Sequence, residues 1–169
     1  MQTFLPVPSF AGSAQSLDRQ RLGKQRVEVL QILNALAGQS KGWTNHPATR
    51  MWRGHERALI RYGLAVCDEW IKRGYNDSCR DKILAHEQTY RHQSADMPPW
   101  MGDDDLHRSH QSNLKRKDPN HYAFPVPDDL PYVWPTCATC DGDGEIENPD
   151  WWIGSAPTVD CPDCNEGDN

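Results

Sequence analysis

Long apolar runs are missing from this 169-residue chain. None approaches the ~18 consecutive apolar residues that a membrane-spanning helix needs, so no membrane partner is expected. The opening Met1-Gln2-Thr3-Phe4-Leu5-Pro6 has neither the cationic nor the apolar part of a secretory signal. A soluble, cytoplasmic protein is therefore the expectation. Hydrophobic residues make up 37% and mean hydropathy is -0.82, which leaves room for one modest core but not for two large ones. No internal repeat or low-complexity tract is visible. Absent too are a Gly-x-x-x-x-Gly-Lys phosphate loop, a dinucleotide fingerprint and a Gly-x-Ser-x-Gly elbow, so nothing points to the chemistries those motifs serve.

Basic residues are missing from one end. From Cys137 to Asn169 there is no Lys or Arg, and there are nine acids. All 18 basic residues precede that segment, against fifteen acids (24 less those nine). Residues 1–92 alone carry 14 basic and 8 acidic side chains. The net charge of -6 thus hides a cationic body able to meet a polyanion such as DNA.

The acidic end holds four of the six cysteines, as Cys137-Ala-Thr-Cys140 and Cys161-Pro-Asp-Cys164. Two C-x-x-C turns at this spacing each present two thiolates on one side of a tight loop, and zinc takes four of them in a tetrahedron. A closed four-cysteine site has no open position for substrate, so the zinc is read as structural rather than catalytic or redox-active. Asp141-Gly-Asp-Gly144 supplies turn residues, and Trp151, Trp152 and Ile153 a small apolar lid. The acidic surface suits docking on the body or a protein partner better than phosphate. Cys67 is expected as a buried thiol on a helix.

The remainder reads as helical. A first helix is expected from Ser13 or Ser16 to Ala37, with Leu22, Val29, Ile32, Leu33 and Leu36 toward the core and Arg21, Lys24 and Glu28 on another face bordered by Gln25. A second is expected from Asn45 or His46, with Pro47 in its first turn, to Gly74. Its apolar stripe is Trp52, Leu59, Tyr62, Val66 and Trp70. Arg50, Arg53, Arg57 and Arg61 would form one uncompensated ridge on that helix, suited to a phosphate backbone. A weaker third helix is expected over Asp77–His92. A fourth, from Asp103 or Asp104 to Lys117, carries His107, His110, Lys115 and Arg116, with the histidines bonding phosphate or nearby backbone. A proline-rich strap follows, in which Tyr132 and Trp134 stack on a base or pack on the body. The fold class is mainly α: a compact three-to-four-helix bundle with irregular loops over residues 1–135. A small zinc-ribbon-like module occupies residues 136–169.

Three stretches carry a family resemblance: Leu17-Asp-Arg-Gln-Arg-Leu-Gly-Lys-Gln-Arg-Val-Glu28; His46-Pro47 with Trp52 and Glu69-Trp-Ile-Lys-Arg-Gly-Tyr75; and His107-Arg-Ser-His-Gln-Ser-Asn-Leu-Lys-Arg-Lys-Asp-Pro119. Together they resemble the pyrimidine-dimer DNA glycosylases of endonuclease V type. The resemblance implies a compact bundle of about three helices. It also implies excision of a damaged or modified pyrimidine from double-stranded DNA, with or without strand nicking by an AP lyase step. The family's nucleophile is the N-terminal amine, which forms a Schiff base at sugar C1′, and a helix glutamate assists. Here these are Met1, retained because a bulky Gln2 is expected to block its removal, and Glu28. Gln20 matches a family glutamine, Arg21 stands where a DNA-contacting histidine is usual, and Lys115 or Arg116 falls near a phosphate-binding position. The expected DNA contacts are Gln20, Arg21, Lys24, Arg26, Arg50, Arg53, Arg57, Arg61, His107, His110, Lys115 and Arg116. Val27 replaces the arginine that precedes the family's glutamate. An α-amine ordinarily titrates at about 7.7–8.0, so a useful fraction is nucleophilic near neutrality. The alternative reading is a non-catalytic DNA-binding protein whose zinc module docks a protein.

Overall fold

The structure, a computed structural model, describes residues 1–141, 143–149 and 156–163. Its elements are α1 (Phe10–Ser16), α2 (Arg19–Leu36), α3 (Pro47–Arg50), α4 (Glu56–Lys72), α5 (Arg80–Ala85), a 3-10 turn (His86–Gln88), α6 (Asp104–Lys117), β1 (Glu145–Glu147) and β2 (Thr158–Asp160). The mainly helical class expected from the sequence is the observed one.

The helix boundaries correct the sequence reading in three places. The expected first helix is two, because Leu17 is extended and the Asp18 carboxylate accepts from Gln20 N and Arg21 N, capping a new start. The expected second helix is also two. Gly54 takes φ +79, a left-handed conformation that ends the turn after α3 and lets α4 begin at Glu56. The third is short, since Asp77 accepts from Cys79 N and Arg80 N and delays its start, and a 3-10 turn follows Ala85. The fourth runs as expected, capped by Asp103.

The core lies where α1, α2, α4 and α5 meet. Leu22, Val29, Ile32, Leu33, Leu59, Ile60, Tyr62, Val66 and Ile83 are fully buried there. Gly63 sets the closest approach: a Cβ on it would lie 2.6 Å from Val29 Cγ1 and 3.2 Å from Ile83 side-chain atoms. Cys67 is buried, as expected. No helix among the described residues is long and apolar enough to cross a membrane.

The chain's first residues are part of this core. Gln2, Thr3, Phe4 and Leu5 are buried, in a stretch with no helix or strand of its own. Their backbone groups must then find side-chain partners. Phe4 N donates to Gln25 Oε1 at 2.9 Å, and Gln2 O accepts from Gln25 Nε2 at 2.7 Å. Leu5 N donates to His110 Nδ1 at 2.9 Å, Leu5 O meets His107 Nδ1 at 2.7 Å, and Pro6 O accepts from Gln111. Side chains of α2 and α6 thus thread the N-terminal segment between them.

Candidate active site

This threading delivers Met1 to a cleft of about 280 Å³, lined by Met1, Gln20, Arg21, Lys24, Glu28 and Tyr132, with Lys117 at its edge. The Met1 nitrogen stands 3.9 Å from Glu28 Oε1, and Lys24 Nζ stands 3.5 Å from the same oxygen. The other oxygen, Oε2, accepts from Gln25 Nε2 at 2.7 Å. Glu28 is nearly buried, and burial raises its pKa above the ordinary value, opposed by the Lys24 and N-terminal charges. A carboxylate held off water between two amines can steady a developing cation and pass protons to and from one face of the cleft.

The structure sorts the residues expected to contact DNA into two groups. Gln20, Arg21 and Lys24 line the cleft. Arg21 is already engaged by Asp18 at 3.1 Å, Asp118 at 3.8 Å and the Lys117 carbonyl. The second group turns elsewhere. Arg26 pairs with Asp77 and lies 4.2 Å over the Trp70 ring.

The single arginine ridge is corrected. Arg50 and Arg53 fall on α3 and the turn after it, while Arg57 and Arg61 fall on α4. Nor is the ridge uncompensated: Arg57 donates to Gln93 O at 2.8 Å and Arg61 to Ala95 O at 2.7 Å. Arg50 pairs with Asp143 at 2.8 Å, and Arg53 donates to the Asp143 carbonyl.

His107 and His110 are buried and hold Leu5, so the phosphate option for them gives way to the backbone one. Burial pushes the His110 pKa down to about 3, with His107 adding to the effect, so His110 is neutral near pH 7. Lys115 donates to Val126 O, and Arg116 to Asp128 O and Leu130 O, tying down the strap. Tyr132 and Trp134 stack on each other at 5.2 Å.

Sequence reasoning places Gln25 only at the border of a face and misses its bonding, and it misses Lys117 and Tyr132 as cleft residues. It also puts Tyr62 in the apolar stripe alone, although its hydroxyl reaches Gln25 Oε1 at 2.8 Å and Phe4 O at 2.9 Å. A glutamine three residues before the glutamate, on the same helical face, was the available signal.

In the acidic segment the sulfur atoms of Cys137, Cys140 and Cys161 lie within 4.8 Å of one another, and this cluster could hold a metal ion. Cys164, the expected fourth ligand, and the Trp151-Trp152-Ile153 lid lie outside the described residues. Gly144 N donates to Cys140 Sγ at 3.2 Å, and Cys161 N to Gly144 O at 2.8 Å, so the first turn is wrapped around the sulfurs. The antiparallel pair β1–β2 sets Glu145 opposite Asp160, and β2 is exposed throughout. Such a two-stranded ribbon is marginal in water without further support.

The cleft thus brings an amine and a carboxylate together beside the cations Arg21, Lys24 and Lys117. The family model described as pyrimidine dimer DNA glycosylase matches residues 1–83, which include Met1, Gln25 and Glu28. The match spans 83 of the 169 residues and takes in α1 to α4 and most of α5 but not α6 or the cysteine segment. No curated protein and no solved structure matches the chain.

Proposed function

We propose that the protein excises a damaged or modified pyrimidine from double-stranded DNA, with Met1 as nucleophile and Glu28 as its carboxylate partner. The observation that carries this reading is the 3.9 Å approach of the Met1 nitrogen to Glu28 Oε1 inside the cleft. The neutral amine attacks C1′ of the target nucleotide. The C1′–N bond to the base breaks, and its electron pair leaves with the base. The Glu28 carboxylate steadies the positive charge at C1′, then takes the proton that the amine sheds. Glu28 returns that proton to O4′ as the C1′–O4′ bond breaks, which opens the sugar ring, gives a protonated imine between Met1 and C1′ and leaves Glu28 ionised again. The same imine acidifies C2′, so removal of a C2′ proton by Glu28 expels the 3′ phosphate and nicks the strand. A version without nicking uses Glu28 to activate water at C1′ instead. Base access requires unstacking, at a cost of a few kcal/mol.

Zinc is the ion we assign to the cysteine cluster. Thiolates around tetrahedral zinc at about 2.3 Å stand roughly 3.8 Å apart. The Cys137 and Cys161 sulfurs are 3.8 Å apart. Cys164 is assigned as the fourth ligand from its spacing. The ion would stabilise the module; no step of base excision is routed through it. Asp141 and Asp143 beside Arg50 make the body itself the dock favoured for this module, ahead of a protein partner.

The test is incubation with a duplex bearing one defined thymine dimer, with and without borohydride, using wild type and Glu28→Gln. Cleavage with a trapped adduct, both lost in the variant, is the expected result. Salt-sensitive binding with no cleavage on dimer or modified-base duplexes would favour the non-catalytic reading.

A further inference from the structure

We propose that Gln25 is a positioning residue that locks the nucleophilic strand and the catalytic carboxylate into one register; this rests on the reading of Met1 and Glu28 given above. Gln25 is 1% exposed, and a polar partner lies within 2.9 Å at each of the four hydrogen-bonding positions of its amide. Nε2 donates to Gln2 O at 2.7 Å and to Glu28 Oε2 at 2.7 Å. Oε1 accepts from Phe4 N at 2.9 Å and lies 2.8 Å from the Tyr62 hydroxyl. The amide cannot be turned over, because a backbone N–H faces one end and a backbone carbonyl the other.

Two consequences follow from this bonding. Meeting Gln2 O and Phe4 N with one amide is what a neighbouring β-strand would do, so Gln25 acts as a one-residue strand partner for the segment that carries Met1. Meanwhile its second N–H holds Glu28 Oε2, leaving Oε1 as the oxygen toward Met1 and Lys24. Amine and carboxylate are therefore indexed to the same small group. Tyr62 supports it: its single proton serves either Gln25 Oε1 or Phe4 O. A bond to the ionised carboxylate also favours that form against burial, so loss of the Gln25 donor should make Glu28 a weaker acid.

The experiment pairs an activity readout with one that needs no activity. Gln25→Leu removes all four bonds. Gln25→Glu keeps the shape and the acceptor while removing the donor, and covers the case in which Gln25→Leu does not fold. Single-turnover cleavage and borohydride trapping are measured against pH, and the Glu28 carboxyl is titrated by carbon NMR in the DNA-free proteins. The expected result is a loss of about 100-fold in trapping rate at unchanged DNA affinity. The acid limb and the Glu28 titration both move to higher pH, and Gln25→Glu partly recovers at low pH, where a shared proton restores the donor. Folded variants with wild-type Glu28 titration would overturn the inference. A wild type that traps no DNA would overturn the proposed chemistry instead, while the titration still decides whether Gln25 governs Glu28.

Discussion

The Met1 nitrogen lies 3.9 Å from Glu28 Oε1, although one belongs to a segment without regular structure and the other to the middle of α2. That separation is beyond a hydrogen bond and leaves room for the approach of a sugar carbon that the proposed chemistry requires. Glu28→Gln keeps the shape of the side chain and removes its charge. Cleavage is expected to fall by about 100-fold to 10,000-fold with DNA affinity nearly unchanged, as read by single-turnover kinetics and a binding titration.

The same burial makes Glu28 a stability liability. Its pKa is raised in the folded protein. Between the unfolded and folded values the native state keeps a proton that the unfolded chain has lost, so stability falls as pH rises through that window. Glu28→Gln is therefore expected to melt at a higher temperature than wild type at pH 7, with the difference vanishing below the unfolded glutamate value. Thermal melts across pH read this directly.

Gly63→Ala sets two effects against each other. Alanine in a helix interior gains up to about 1 kcal/mol over glycine. Here the added Cβ would meet Val29 Cγ1 at 2.6 Å, in a core where overpacking costs about 1–3 kcal/mol. Net destabilisation is expected in urea unfolding, with the α2–α4 contact as its seat.

The free and committed cations should separate in salt. Lys117 lies on the cleft and is exposed, so Lys117→Ala is expected to lower the salt slope of DNA binding by about 1. Arg57 is tied to Gln93 O, so Arg57→Ala should leave the slope alone and reduce stability. Binding isotherms at several salt concentrations distinguish the two.

Metal removal should act locally. The cysteine cluster and the helical core are separate hydrophobic groups. Chelation, or Cys161→Ser, is expected to release one zinc ion and unfold the β1–β2 ribbon while the helical circular dichroism persists. Metal analysis alongside the spectrum checks both halves of that statement.

Much of the architecture was legible because it depends on local pattern. The core positions of α2, the Asp103 start of α6, the buried Cys67 and the cysteine spacing all follow from periodicity, capping and ligand geometry. The breaks at Asp18 and Gly54 were not read, since a helical stripe continues through both in the sequence. The arginine ridge failed for the same reason: spacing places side chains on a face only while the helix is unbroken. Glu28 and Met1 came from family resemblance, whereas Gln25 and Tyr62 emerged only from tertiary contacts to the N-terminal segment. A strand held by side chains leaves no periodic trace.

Borohydride trapping on lesion-bearing DNA, followed by peptide mass spectrometry of the adduct, identifies the nucleophile itself. The expected adduct is a reduced sugar linkage on the Met1 α-nitrogen, lost when one extra residue precedes Met1 and strongly reduced in Glu28→Gln. An adduct on Lys24, or cleavage that persists unchanged with the extra residue in place, would contradict it.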